Sequence, residues 1–280
     1  MSAQLEPWGG SESFSLDPVQ FHAIGSLVRQ EAGIDLQPGK ESLVRTRLQS
    51  RLRALGLSGF DGYLDHIRED GSGAELSRMV DLLTTNKTSF FREPDHFRLL
   101  QDDLLPKLAA RSGPIRIWSA GCSTGEEAYS LAIVAREVLG ADAWRSSILA
   151  TDISTRVLLH ARAGAYADDR LSGVPAPLVS RHFVTEHADG RARYRIAPAT
   201  RALVRFVRLN LVGPWPPIGL FDLIVCRNVM FYFDRATRLR LVDRFSRQLT
   251  SGGHLFVGHS ESLRVLRPEM QYVQPSVYTK

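Results

Sequence analysis

Between residues 121 and 127 the chain reads Gly-Cys-Ser-Thr-Gly-Glu-Glu. Gly121 and Gly125 permit backbone angles that other residues avoid, and they let a ligand approach the main chain closely. Glu126 and Glu127 follow at once, where a helix opens. A dinucleotide fingerprint needs G-x-G-x-x-G, and a phosphate loop needs G-x-x-x-x-G-K-[ST]. This run matches neither, lacks the lysine, and puts two carboxylates where a pyrophosphate would sit. Anions are favoured at a helix N-terminus, but a second anion in the same place is repelled. The turn therefore suits a ligand with hydroxyls and positive charge. S-adenosylmethionine has both: a ribose, an adenine, an amino group and a sulfonium. A glycine turn that only joins a strand to a helix is the plainer alternative.

The elements that must position this turn are legible around it. Ile115 to Ser119 is a short apolar strand, and Leu131, Val134, Ala135 and Val138 recur at helical spacing after it. A strand, a glycine turn and a helix open a nucleotide-type site in an α/β sheet. A second strand, Ser147 to Thr151, ends at Asp152. A carboxylate there can accept hydrogen bonds from ribose hydroxyls, or it can cap the helix that follows. Strands continue at Leu203–Val207, Phe221–Cys226 and Gly253–Val257, with a helix over Thr237–Leu249. Tyr272 to Tyr278 reads as a last strand, placed at an edge by Pro275. Residues 163–200 are rich in glycine and proline and interrupt the alternation. His182–Val184 and Ala192–Ile196 can pair there as a hairpin across Asp189-Gly190. The expected fold is α/β, a doubly wound Rossmann-like domain over 113–280 with a small inserted β-subdomain.

Before it, residues 14–85 read as a small all-α domain, 86–112 as a connector, and 1–13 as a disordered tail. Pro18 opens a helix with Phe21, Ile24, Leu27 and Val28 on one face, and Gly33 ends it. A second helix, from about Pro38 to Leu55, carries Val44, Leu48, Leu52 and Leu55 as its apolar stripe. Lys40, Arg47 and Arg51 line up beside that stripe, with Arg45 and Arg53 on the other flank. From Lys40 to Arg53 five cations stand against Glu41, a net of +4. Such a face can grip an acidic helix, or it can simply be solvated. Helices at Gly59–Glu69 and Ala74–Leu83 complete the domain. The connector, Thr84 to Pro94, turns from polar to aromatic and reads as a segment that packs against something.

Composition sets the outer bounds. The chain has 280 residues, 44% hydrophobic and 23% charged, with a net charge of +5, ordinary for a globular protein. A modest excess of cations permits an acidic partner. No stretch reaches the ~18 apolar residues of a membrane span, and the N-terminus lacks the basic and apolar regions of a secretory signal. Cys122 and Cys226, the only cysteines, form neither a disulfide framework nor a metal quartet. The expectation is a cytoplasmic protein without a metal, without direct membrane insertion, and a monomer by default.

Four stretches then become specific in combination: T-T-N-K-T-S-F-F-R-E-P at 84–94, S-A-G-C-S-T-G-E-E-A-Y-S at 119–130, C-R-N-V-M-F-Y-F at 226–233 and G-G-H-L-F-V-G-H-S-E-S-L at 252–263. With R-L-x-x-R-L-R-A-L-G-L at 47–57, the chain closely resembles the chemotaxis receptor methyltransferases, the CheR family, from about Phe14 to its end. The resemblance implies transfer of a methyl group from S-adenosylmethionine to glutamate side chains of methyl-accepting chemotaxis receptors, leaving S-adenosylhomocysteine. It further implies cofactor contacts from Asn86, Thr88 and Arg92 in the connector. Glu127 would meet the amino end, Asp152 the ribose, Asn210 and Leu211 the adenine, and Arg227 and Asn228 would complete the site. The basic helix, through Lys40, Arg47, Arg51 and Arg53, would receive an acidic receptor helix. Arg92 and Tyr232 are the candidates for holding the reacting carboxylate, though Arg92 can instead pair with Glu93 and Tyr232 can simply pack. Some members of the family dock a short receptor peptide through the β-subdomain, at the hairpin around Asp189-Gly190 here.

Three other readings fare worse. Base methylation of nucleic acids uses a polar-Pro-Pro-aromatic motif after the fourth strand, where this chain has C-R-N-V-M-F-Y-F; Pro216-Pro217 precede the strand. A nicotinamide oxidoreductase lacks its fingerprint. A non-catalytic scaffold would be expected to have lost Arg92, Asp152 or Arg227–Asn228, which all stand.

Overall fold

A computed structural model describes residues 14–188, 191–263 and 270–280. The predicted tail and the Asp189-Gly190 turn lie outside the described residues. The chain forms two compact units. Among the described residues, one holds 14–31 and Asp35–Leu83, the other Ala32–Ile34 and the chain from Thr84 onward.

The first unit is helical: α1 (Pro18–Ala32), α2 (Glu41–Ala54), α3 (Phe60–Glu69) and α4 (Ala74–Leu83). Val44, Leu48 and Leu52 of α2 are fully buried, as their four-residue spacing demands, with Tyr63, Leu64 and Met79 in the same core. Helix α2 starts later than its apolar pattern suggests, because Pro38-Gly39 turns, with Gly39 at φ +88°.

The second unit contains, in chain order, α5 (Pro94–Leu99), α6 (Leu105–Ala109), β1 (Ile115–Ala120), α7 (Glu126–Leu139), β2 (Ser146–Asp152), α8 (Thr155–Ala163), β3 (Ala165–Ala167), α9 (Ala176–His182), β4 (Phe183–Ala188), β5 (Arg191–Ile196), α10 (Pro198–Arg201), β6 (Val204–Arg208), β7 (Phe221–Cys226), α11 (Arg235–Gln248), β8 (Leu249–Val257), β9 (Gln271–Gln274) and β10 (Val277–Thr279). Its large sheet runs β6-β2-β1-β7-β8-β10-β9. The first five of these are parallel, and β10 is antiparallel to both its neighbours. Connections wind outward from β1 in both directions, so the sheet's switch point lies between β1 and β7.

Two expectations are corrected here. The single last strand is a hairpin: Pro275 offers no N–H, Ser276 takes φ +64°, and the chain reverses between β9 and β10. The inserted hairpin gains a third strand, since β3 pairs antiparallel with β5. The connector packs through its aromatics. Phe90 meets the rings of Tyr166 and Phe183 edge-on at 5.0 and 5.4 Å, and Phe91 meets Phe97 at 5.3 Å. No helix among the described residues is long and apolar enough to cross a membrane.

Candidate functional site

The C-terminal ends of β1 and β2 are tied into one platform. Gly121 and Cys122 both donate their N–H to the Thr151 carbonyl, at 2.8 and 2.9 Å. Asp152 accepts from Ser123 N (2.8 Å) with one carboxylate oxygen and from Ser154 N (2.9 Å) with the other. The helix cap itself is Ser154, whose hydroxyl accepts from Val157 N. Asp152 thus fixes the glycine turn to the end of the second strand. Ser123 in turn donates its hydroxyl to the Asn86 carbonyl at 3.1 Å and so holds the connector.

The two glycines have a reason the sequence does not show. A Cβ at Gly121 (φ +89°) would lie 2.4 Å from Val229 Cγ2, and one at Gly125 (φ +97°) 2.9 Å from Ala161 Cβ. Here the missing side chains make room for the protein as well as for a left-handed turn.

Beside this platform opens a cleft. The connector lines it with Asn86, Thr88 and Arg92, the first turn of α7 with Glu127, the end of β2 with Asp152, the segment after β6 with Asn210 and Leu211, and the loop after β7 with Arg227, Asn228 and Tyr232. Every cofactor candidate named from the sequence is therefore gathered on one cleft. Sequence reasoning missed Ile34, Ser123, Ile153, Val229 and Phe233, which also line it. Ile34 arrives from the segment after α1 through a bridge to Phe233, and no local pattern announces that.

The adjacent carboxylates part company. Glu127 accepts from Ser119 Oγ (2.7 Å) and Arg227 Nε (2.9 Å) at the cleft wall. Glu126 is fully buried, accepts from Thr124 Oγ1 at 2.6 Å, and pairs with the Arg170 guanidinium from the β-subdomain. Arg170 also reaches the Thr88 carbonyl at 3.2 Å. Glu126 is thus neutralised away from the cleft, and of the two carboxylates only Glu127 stands on its wall, paired with Arg227.

Burial pushes the Glu127 carboxyl above the usual glutamate range, although Arg227 and Ser119 pull it down. Arg227 is itself buried, 3.2 Å from His96 Nδ1 and 3.8 Å from Glu93 Oε2, with its guanidinium over the Phe97 ring. Burial, then the Arg227 charge, pushes His96 down to about 4, so the imidazole is neutral and its Nδ1 accepts from Arg227. Glu93, His96 and His259 bring three donor atoms within 4.8 Å of one another; the cation standing beside them is Arg227. Both cysteines are fully buried, and burial pushes their thiols well up, which suits packing rather than reactivity.

Arg92 and Tyr232 both brace the connector. Arg92 Nη1 donates to the Lys87 carbonyl (3.0 Å), and Tyr232 Oη to the Thr85 carbonyl (3.1 Å). Phe91 and Glu93, on either side of Arg92, take left-handed φ of +51° and +58°. Such backbone costs of order 1 kcal/mol per residue and persists where its surroundings over-determine it.

The basic candidates lie in the helical unit, and two of them turn inward. Arg51 holds Glu75 through Nε at 2.9 Å, and Arg47 donates to the Leu83 carbonyl at the end of α4 (2.6 Å). Lys40 and Arg53 are exposed, as is Arg45.

A mostly parallel sheet with a cleft at its switch point, a carboxylate closing its second strand and a carboxylate–guanidinium pair on the wall fit a protein that binds a nucleoside-bearing cofactor. Residues 20–84 match the family described as "CheR methyltransferase, all-alpha domain", and residues 86–278 match "CheR methyltransferase, SAM binding domain". The chain belongs to the CheR methyltransferase family. It is 40% identical over 275 residues to "Chemotaxis protein methyltransferase 2" of Pseudomonas aeruginosa, covering 98% of this chain and 97% of that one. It is 38% identical over 269 residues to "Chemotaxis protein methyltransferase" of Escherichia coli K12, covering 96% and 93%.

Proposed function

We propose that this chain methylates glutamate side chains of chemotaxis receptors, giving γ-methyl esters. The observation that carries this is the cleft's inventory. Among the described lining residues there is no histidine or cysteine; Asp152 is engaged by backbone N–H groups, Glu127 by Arg227 and Ser119, and Tyr232 by the Thr85 carbonyl, while Lys87 is exposed. An amine, thiol or hydroxyl acceptor would need a base to take its proton. A glutamate, with a reference pKa of about 4.3, is already ionised at neutral pH. The guanidinium of Arg92 in the lining suits a carboxylate acceptor. The relatives' names, chemotaxis protein methyltransferases, support a protein of the chemotaxis apparatus as the carrier of that glutamate, and the receptor is the carrier proposed here.

The residues present suit S-adenosylmethionine: carboxylates for the ribose hydroxyls and the amino group, and Ile153, Leu211, Val229 and Phe233 for the adenine. When bound, it supplies a methyl carbon that passes to the carboxylate oxygen as its bond to sulfur breaks, cancelling one positive and one negative charge. Asp152 holds the ribose, Glu127 the amino end, and Asn210 and Leu211 the adenine, while Asn86, Thr88, Arg227 and Asn228 close the pocket. Arg92 and Tyr232 align the acceptor, and with no base required the enzyme's work is alignment and exclusion of water. Lys40, Arg47, Arg51 and Arg53 give α2 the charge to attract an acidic receptor helix, with the exposed Lys40 and Arg53 best placed to meet it.

Isothermal titration with S-adenosylmethionine and S-adenosylhomocysteine, beside Asp152→Ala, tests the site. Micromolar binding, lost in the variant, is expected. Receptor cytoplasmic fragments with labelled methyl donor test the acceptor. Label released as methanol by mild base marks an ester; base-stable label would overturn glutamate methylation.

A further inference from the structure

The loop after β7 carries Arg227, Asn228 and Tyr232 into the cleft, yet it is held from behind. Asn228 takes φ +59°, a conformation that costs asparagine free energy unless something fixes it. A single carboxylate does so. Glu261 Oε2 accepts from Asn228 N at 2.8 Å, and Oε1 accepts from Phe231 N at 3.1 Å, inside the short turn that ends at Tyr232. The same Oε2 accepts from Gly258 N at 2.8 Å, and Glu261 N returns a bond to the Gly258 carbonyl. Glu261 is buried at 6% exposure, and hydrogen bonds to an ionised acceptor are stronger than neutral ones. At Gly258 a Cβ would lie 2.7 Å from Asn228 Nδ2, 2.8 Å from Glu261 Oε2 and 2.9 Å from Asn228 N. A glycine therefore ends β8 because two loops close on one carboxylate.

We propose that Glu261 is the positioning residue of the methyl-transfer site. It does not line the cleft. It sets the backbone from which Arg227 reaches Glu127 at 2.9 Å and Tyr232 reaches the Thr85 carbonyl at 3.1 Å. Both contacts face the cofactor side of the cleft, so the proposal rests on the cofactor reading above. Small displacements of positioning groups are costly to transfer chemistry.

Glu261→Gln keeps the shape but must turn its NH2 toward either Phe231 N–H or the Asn228 and Gly258 N–H groups, donor against donor. The expected result is a Kd for S-adenosylmethionine raised about tenfold or more and a lower kcat, with the receptor KM and the Tm near wild type. A glutamate that merely supports the fold would instead lower Tm and leave the Kd of the folded protein unchanged, and that outcome overturns the proposal. Should Glu261→Gln not fold, Gly258→Ala presses on the same carboxylate from the other side and is expected to raise the Kd likewise; unchanged affinity there overturns it too. Wild-type protein that binds no S-adenosylmethionine would sink the cofactor reading itself, whereas wild-type binding matched by the variants sinks only the role of Glu261.

Discussion

The two units each bury a glutamate against an arginine, and they use the pair differently. In the helical unit Arg51 grips Glu75 through two nitrogens, and Tyr63 Oη closes the cluster at 2.9 Å. In the catalytic unit Arg227 meets Glu127 through Nε, and Ser119 completes the set. The glutamates are almost equally buried, at 5% and 8% exposure. Burial alone would push Glu75 up, but Arg51 and Tyr63 outweigh it and hold its carboxyl below the usual range. At Glu127 burial wins and the carboxyl is pushed up. The first cluster is satisfied and structural. The second borders a cleft and keeps a charge that its surroundings favour less, where a cationic ligand would favour it more. A buried ion pair therefore reads as stabilising or functional by what adjoins it, not by its existence.

Breaking that contrast starts with the largest effect. Glu75→Ala leaves the buried Tyr63 hydroxyl and the half-buried Arg51 without their shared acceptor and is expected to cost about 1–3 kcal/mol of stability, read as a lower urea midpoint, while cofactor affinity of the folded protein stays put. Unchanged stability would mean the cluster is idle. Glu127→Gln should weaken cofactor binding, to a Kd about tenfold higher, or about 1.4 kcal/mol, and should also lower Tm, because the buried Arg227 loses the counter-charge it holds at 2.9 Å.

Acidity sharpens the same difference. Glu75 has a depressed carboxyl, so its contribution is present above the unfolded glutamate pKa and fades as pH falls through its lower folded value. The stability gap between wild type and Glu75→Gln should therefore narrow only in acid, below about pH 4.3. Glu127 is raised, so the folded protein takes up its proton first, and acidification relieves the fold there while weakening cofactor binding. A cofactor Kd that stays flat as pH falls toward the ordinary glutamate pKa of about 4.3 would argue against Glu127 as a ligand group. The smallest effect on the fold belongs to charge reversal at Lys40 and Arg45, exposed positions where a change within about 0.5 kcal/mol is expected. Receptor methylation should nonetheless fall, with cofactor affinity intact. Reversal at Arg51 is a poor probe of docking, since it would set a second carboxylate against Glu75.

Much of this was legible in the chain. Alternating strands and helices fixed the doubly wound class, and the runs at 84–94, 119–130 and 226–233, together with Asp152 and Asn210-Leu211, supplied the cofactor candidates that the fold brings to one cleft. The run at 252–263 was recognised as a motif, yet its Glu261 was not singled out, because three backbone N–H groups converge on it only after β7 and β8 pair. The Tyr272–Tyr278 hairpin was missed because a strand with proline and a tight reversal at proline share one local pattern.

By itself, the sequence determined that a strand, a glycine turn and a helix opening on two carboxylates would stand together. Local periodicity and the conformational freedom of glycine suffice for that. Only the tertiary structure decided that Glu127 faces the cleft and Glu126 the Arg170 guanidinium. Neighbouring helical residues point about 100° apart, and which direction holds a ligand and which holds protein depends on the strands and subdomain packed around the helix.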